Sequence, residues 1–321
     1  MAVSVKNRPI AATATQHHQP TSFYVGAAVR YTLLVLLSLL AFAPFILSFL
    51  GTFKPNAELT AYPPTLLPQA WVDNGWSGFV SSLDNWKRVW NFTLPSIQLA
   101  PPLSSIIGNR VLPLWLLNSA WLAVLNVLLR LFFCSLAAYA FARLRFPGQN
   151  FIFAVVIASQ AFPTEVTLIP GYVFYARIHW INTYWPLIVP DIAIAFGIFM
   201  LTQFFKSIPR ELEEAALIDG ASRFRTYWSI ALPLARPALL TLAIIQFQGV
   251  WNDFIKPLLF LQQPKLMTLT VGMNFFKGVY ASDFSAILVG AMFNAIPMLI
   301  IFFIFSKYYM EGSSYSGLAG Q

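Results

Sequence analysis

Six stretches of this chain, roughly 29–51, 114–140, 150–170, 184–205, 237–261 and 284–306, are apolar at nearly every position. Each is close to the 20 or so residues that an α-helix needs to cross the hydrocarbon core of a bilayer. The pattern predicts an all-α integral membrane protein with six spanning helices. Pro44, Pro190 and Pro297 fall inside spans. Kinks there are tolerated where neighbours satisfy the carbonyls they free.

Between the fourth and fifth stretches the pattern inverts. Residues 206–236 form a charged, helix-forming island. Ser207 is read as an N-cap and Pro209 as a first-turn proline. Glu211, Glu213 and Glu214 then sit near the positive end of the helix dipole. Gly220 can take the left-handed conformation that ends a helix. Ser222 can cap a second short helix that carries Arg223 and Arg225 and stops near Pro233. The island reads helix, glycine bend, helix. The bland alternative is an ordinary charged loop with helical ends.

Composition agrees with a membrane chain. Of 321 residues, 58% are hydrophobic and only 10% charged, with a mean hydropathy of +0.65. A soluble domain carries about 25% charged residues. The net charge of +8 gives no basic stripe for nucleic acid, because the basic residues are scattered at the ends of apolar runs. Arg143 and Arg145 share one short loop, and Lys206, Arg210, Arg223, Arg225 and Arg236 crowd another. The excess of Lys and Arg in short loops marks the cytoplasmic side, so both termini are expected there. Residues 1–28 read as a disordered cytoplasmic tail, and the long apolar run after them lacks a signal-peptide cleavage site.

Nothing suggests catalysis. Cys134 stands alone in an apolar run, and His17, His18 and His179 have no metal-ligand spacing. The chain has no phosphate-binding glycine loop and no Gly-x-Ser-x-Gly. Three ionisable residues, Arg130, Glu165 and Asp191, lie deep in apolar runs at broadly similar expected depths. Such charge costs about 2.5–3.5 kcal/mol or more at a helix centre, so it pairs or lines a cavity. Arg130 shares a small, polar helix face with Ser119, Ala123, Asn126 and Ala137. That face supports either a polar centre near a translocation path or a structural ion pair.

The loop at 52–113 is long and rich in Pro and Trp. Loops of that length are functional or disordered. Trp71, Trp76, Trp86 and Trp90 are expected to be buried anchors of an outer cap, or else part of a layer at the lipid headgroups.

Glu214-Ala215-Ala216, then Gly220, then Ile230-x-Leu232-Pro233, resembles the cytoplasmic coupling loop of bacterial ABC-importer permeases. Ala138-Tyr-Ala-Phe-Ala-Arg-Leu-Arg-Phe-Pro-Gly148 is similar to their loop after the second span. Asn85-Trp86, Asn118-Ser119, Phe162-Pro163, Asn182-Thr183-Tyr184-Trp185, Trp251-Asn252-Asp253-Phe254, Thr268-Leu269-Thr270-Val271-Gly272 and Ile296-Pro297 follow the same plan. The resemblance runs from about Trp86 to Gly320, and the maltose-type carbohydrate permeases are the closest group. Two features depart from it. The segment Asn91–Arg110 is longer than the family's connection, so residues 92–110 read as an addition. The tail from Glu311 to Gln321 lacks the family's usual lysine.

The resemblance implies a type I ABC-importer permease fold in a bacterial inner membrane, with a permease domain at 29–307 and a cytoplasmic tail at 308–321. It implies a transport subunit with no ATPase site. ATP and Mg would be held by two partner ATPase subunits, reached through Glu213, Glu214, Ala215, Ala216, Asp219 and Gly220. It also implies a second homologous permease and an extracytoplasmic solute-binding protein. A sugar site needs neutral hydrogen-bonding groups and aromatic rings. Gln246, Gln248, Trp251, Asn252 and Asn294 are the candidates, with helix–helix hydrogen bonding the competing reading. A polyol or glycerol-phosphate solute is the alternative. A secondary transporter would show an internal repeat, and none is clear.

Overall fold

The computed structural model describes the backbone of residues 21–277 and 283–318, and side chains at 29–277 and 283–305. Most of the expected N-terminal tail, and the side chains of the expected C-terminal tail, lie outside the described residues. Among those described, secondary structure is mostly helical, and Thr93 and Arg110 form an isolated antiparallel bridge.

Four helical stretches are long and apolar enough to cross a bilayer: Val29–Gly51, Val111–Arg143, Trp185–Ser207 and Phe284–Phe305. Two bent pairs complete six if each pair is one span. Gln149–Ala161 meets Thr164–Arg177 at 96°, and Arg223–Leu234 meets Arg236–Trp251 at 74°. The third span is therefore broken at Phe162-Pro163. The reason is local: proline blocks continuation of the preceding helix and starts the next.

The chain divides into two compact units, Met1–Ser48 and Phe49–Gln321. The described part of the first is the helix that begins at Thr21, earlier than its apolar run suggests. Its apolar side chains are exposed, Leu33 by 54% and Leu40 by 73%. Exposed leucine on every face suits a lipid solvent.

The second unit is organised along the second span, Val111–Arg143, which packs against Ala195–Ser207 and Arg236–Trp251. Three apolar clusters succeed one another along it. The outer one holds Val111, Leu112 and Trp115 with Val89, Leu269 and Val289. The middle one joins Leu122 to Leu187, Ile188 and Leu261. The inner one joins Cys134, Ala138, Tyr139 and Ala142 to Leu201, Phe205, Tyr227 and Leu242.

The outer end is sutured by polar side chains. Trp115 Nε1 donates to the Pro264 carbonyl at 2.8 Å, and Asn118 Nδ2 reaches the carbonyls of Lys265 and Met267 at 3.0 and 2.9 Å. Ser119 Oγ accepts from Leu269 N at 2.8 Å. Trp115 lies flat over Gly272, where an added Cβ would sit 2.2 Å from the ring. Only glycine fits there.

The outer loop is folded, and its tryptophans divide. Trp86 and Trp90 pack on Phe293, and Trp86 Nε1 donates to Thr52 Oγ1 at 3.1 Å. Trp71 Nε1 donates to Ser82 Oγ at 2.9 Å. Trp76 is 78% exposed, so it is no buried anchor. It follows Gly75, whose φ of +53° breaks the helix and redirects the next turn. Residues 92–110 pack into the second unit. Ile97 is buried, and Phe92, Leu94, Leu99 and Leu103 pack against the outer cluster. Deleting the segment would open the core.

Candidate functional site

The island is built from three breaks in helix geometry. The fourth span ends at Ser207, whose Oγ turns back to the Phe204 carbonyl at 2.7 Å. Ser207 therefore closes that helix and does not cap the next. Serine chooses between these two local hydrogen bonds, and here the backward one wins. The first island helix, Glu211–Ile218, starts from Arg210, whose carbonyl accepts from the backbone of Glu213 and Glu214 at 2.9 Å each.

That helix closes as a Schellman motif. Gly220 has φ +82°, its N–H reaches the Leu217 carbonyl at 3.1 Å, and Ala221 N reaches the Ala216 carbonyl at 2.9 Å. Ser222 Oγ then caps Arg225 N at 3.2 Å. A π-turn, Tyr227–Ala231, follows before the 74° bend into the fifth span. Nothing lies within 4 Å of a Cβ built on Gly220, so only the backbone demands glycine. We expect Gly220→Val to cost about 1–2 kcal/mol locally through its left-handed φ. The protein should still insert, with its thermal unfolding midpoint in detergent lowered; an unchanged midpoint would show that the bend tolerates a side chain.

The island is riveted to the second span. Glu213 is 4% exposed and forms an ion pair with Arg143 Nε at 2.8 Å. Tyr139 Oη donates to its other oxygen at 3.1 Å. Arg143 Nη2 donates to the Ile208 carbonyl at 2.6 Å. Tyr227 and Ser135 share a hydrogen bond of 2.8 Å. Glu213 is thus an internal anchor that faces away from solvent. Glu214, Ala215, Asp219 and Gly220 face outward, with Ala216 half-buried. Beside them Ile218, Phe224 and Trp228 are 86%, 63% and 53% exposed. Large apolar groups in water beside small alanines form a surface suited to a protein partner. The sequence offered no signal for Tyr139 or Arg143 as partners of Glu213, because they lie some 70 residues away in the chain.

A polar layer separates the middle and inner clusters. Arg130 is 13 residues from Arg143, about 20 Å along the helix. Its Nη2 lies 3.2 Å from Asp191 Oδ2, its Nε donates to the Asp191 carbonyl at 2.9 Å, and its Nη1 donates to Gln246 Oε1 at 2.6 Å. Asp191 occupies a 3-10 turn, Val189–Asp191, where Pro190 breaks the fourth span. Arg130 thereby serves both the carboxylate and a carbonyl that the break leaves free. Lys256 Nζ also pairs with Asp191. The long Lys256 stem carries its charge into the layer. Arg130, Asp191 and Asp253, with Ser119, Asn126 and Thr268, line a cavity of about 20 Å³, room for about one water.

Glu165 does not join this layer. It is exposed in the first turn of Thr164–Arg177 and makes no ion pair among the described residues. A depth counted along a straight helix fails past the 96° break.

The five candidates for a solute path also divide. Gln246 is buried against Arg130. Trp251 is buried, with Nε1 donating to the Asn294 carbonyl at 3.0 Å. Gln248 and Asn252 are exposed on one face. Asn252 Nδ2 donates to the Gln248 carbonyl at 3.1 Å, and Asn294 Nδ2 donates to Asn252 Oδ1 at 3.1 Å. Gln248, Asn252 and Asn294 thus form a neutral amide surface.

Comparison with known proteins follows the same outline. The model of a family described as binding-protein-dependent transport system inner membrane component matches residues 131–309. The arabinooligosaccharides transport system permease protein AraQ of Bacillus subtilis is 29% identical over 94% of this chain and 99% of its own length. The trehalose/maltose transport system permease protein MalG of Thermococcus litoralis is 31% identical over 89% of this chain and 95% of its own. A chain in the crystal structure of a bacterial ABC transporter involved in the import of the acidic polysaccharide alginate superposes with a TM-score of 0.71 at 21% identity. That match covers 91% of this chain and 99% of the other.

Proposed function

This chain belongs to the family of binding-protein-dependent transport system inner membrane components, and on that footing we propose that it carries a sugar or oligosaccharide inward as one permease of a heterodimer. It is a multi-pass membrane transport subunit. The observation that carries the reading is the island: an exposed face of Leu212, Ala215 and Ile218 flanked by Glu214 and Asp219, on a helix anchored to the second span by the buried Arg143–Glu213 pair.

In this reading the outer face of the island seats in a partner ATPase subunit, one of two, which hold ATP and Mg and hydrolyse the nucleotide. Movement of the ATPase pulls the island, and Glu213 passes that pull directly to the second span. The island side, and with it both termini, is cytoplasmic. Gln248, Asn252 and Asn294 turn their neutral amides toward the second permease. They offer hydrogen bonds to hydroxyl groups without a charge that would trap the solute. The sugar relatives support a carbohydrate; a polyol or glycerol-phosphate solute fits the same amides.

The test is uptake by sealed vesicles holding this chain, its second permease and the ATPase, with solute supplied on its binding protein. Accumulation of labelled oligosaccharide that requires ATP inside is expected. Accumulation driven by an ion gradient without ATP would assign the chain to secondary transporters.

A further inference from the structure

On the island side of the second unit, a cleft of about 230 Å³ lies where the second span ends, the third begins and the fourth ends. Its lining includes Arg143, Arg145, Lys206 and Arg210 and no carboxylate. Arg143 is committed to Glu213 and the Ile208 carbonyl. Arg145, Lys206 and Arg210 are exposed and make no ion pair among the described residues. Lys206 Nζ stands 5.6 Å from the centre of the Phe153 ring, which holds its charge toward the cleft. The third span opens here at Gln149 without a side-chain cap, so its positive helix end adds to the same field.

Three uncommitted cations around one concavity ask for an anion. The neighbouring surface says which kind. Phe151, Ile152 and Val155, on the helix that rises from the cleft, are 74%, 45% and 52% exposed. A ligand seated here meets charge at its head and bare hydrocarbon within a turn or two beside it. Basic pockets between spanning helices on the cytoplasmic side suit phospholipid headgroups. We propose that this cleft binds the phosphate headgroup of an anionic phospholipid, whose acyl chains lie on Phe151, Ile152 and Val155. The site would hold the loop at 144–148 beside Arg143, the residue that anchors the island.

The experiment uses the full chain assembled with its partner subunits in detergent. Lipid retention is read by native mass spectrometry as phosphatidylglycerol or phosphatidylcholine is titrated in. Phosphatidylglycerol should be retained in preference. Each cation near a membrane surface contributes about 1 kcal/mol, so the combined Arg145→Gln, Lys206→Gln, Arg210→Gln variant should bind it on the order of a hundredfold more weakly. If that variant does not assemble, Lys206→Gln alone should lose about fivefold. Lys206→Arg should bind as the parent does. Excess inorganic phosphate should not displace the lipid. Unchanged phosphatidylglycerol binding in the neutralised variants would overturn the proposal. So would displacement by free phosphate, which would make this a soluble-anion site. Loss of the ATPase subunit with lipid retention unchanged would overturn it too, assigning the cations to carboxylates of that partner.

Discussion

Replacing Glu213 with alanine should abolish ATP-driven uptake and cost about 3–5 kcal/mol of stability, the usual penalty for orphaning half of a buried ion pair. Arg143 is 4% exposed at its side chain, and no other carboxylate pairs with it among the described residues. Its remaining hydrogen bond, to the Ile208 carbonyl, leaves a full charge uncompensated. Tyr139 loses its acceptor in the same step. Thermal unfolding of the purified chain, with ATPase stimulation measured alongside, reads both effects. Glu213→Ala combined with Arg143→Ala should be less harmful than the sum of the singles, because the second change removes the orphaned charge. Additive losses would mean that the pair is not energetically coupled. A Glu213→Ala protein that melts and transports like the parent would remove the rivet from the mechanism altogether.

The second large effect concerns the polar layer, and here the order of two variants carries the test. Asp191→Asn should lose about 3 kcal/mol, because Arg130 and Lys256 then face one another across a neutral amide at membrane depth. Arg130→Met should lose less, because Asp191 keeps Lys256 and a buried charge is removed together with its partner's bond. Unfolding midpoints in detergent decide it. If Arg130→Met is the worse variant, the guanidinium's bonds to Gln246 and to the Asp191 carbonyl dominate, and the charge balance is secondary.

The spans were legible because hydrophobicity over 20 residues is a strong, local signal. So was the end of the first island helix, since Gly220 and Ser222 act on backbone groups within a few residues. The errors come from two sources. Local hydrogen bonds have alternatives of similar strength, and Ser207 bonded to Phe204 instead of opening the next helix. Apolar averages are blind to direction, so the 96° turn at Phe162-Pro163 removed Glu165 from the layer that its position in the run suggested. Trp76 fails as an anchor because Gly75 redirects the chain just before it. The partners of Glu213 and Asp191 are contacts between distant segments. Residue types could flag these charges as needing partners, but only packing could name Arg143, Tyr139 and Lys256.

The π-turn at Tyr227–Ala231 has a consequence for register. It adds a residue to a ladder that would otherwise be α-helical, with Tyr227 and Ala231 both buried against the inner cluster. One residue is about 100° of helix rotation. The extra residue therefore rotates Leu232–Leu234 relative to Arg223–Thr226, ahead of the 74° bend into the fifth span. Sequences that shorten this turn by one residue must repack Tyr227 or Ala231 against the inner cluster, and alignments across Tyr227–Ala231 should treat a gap there as a rotation.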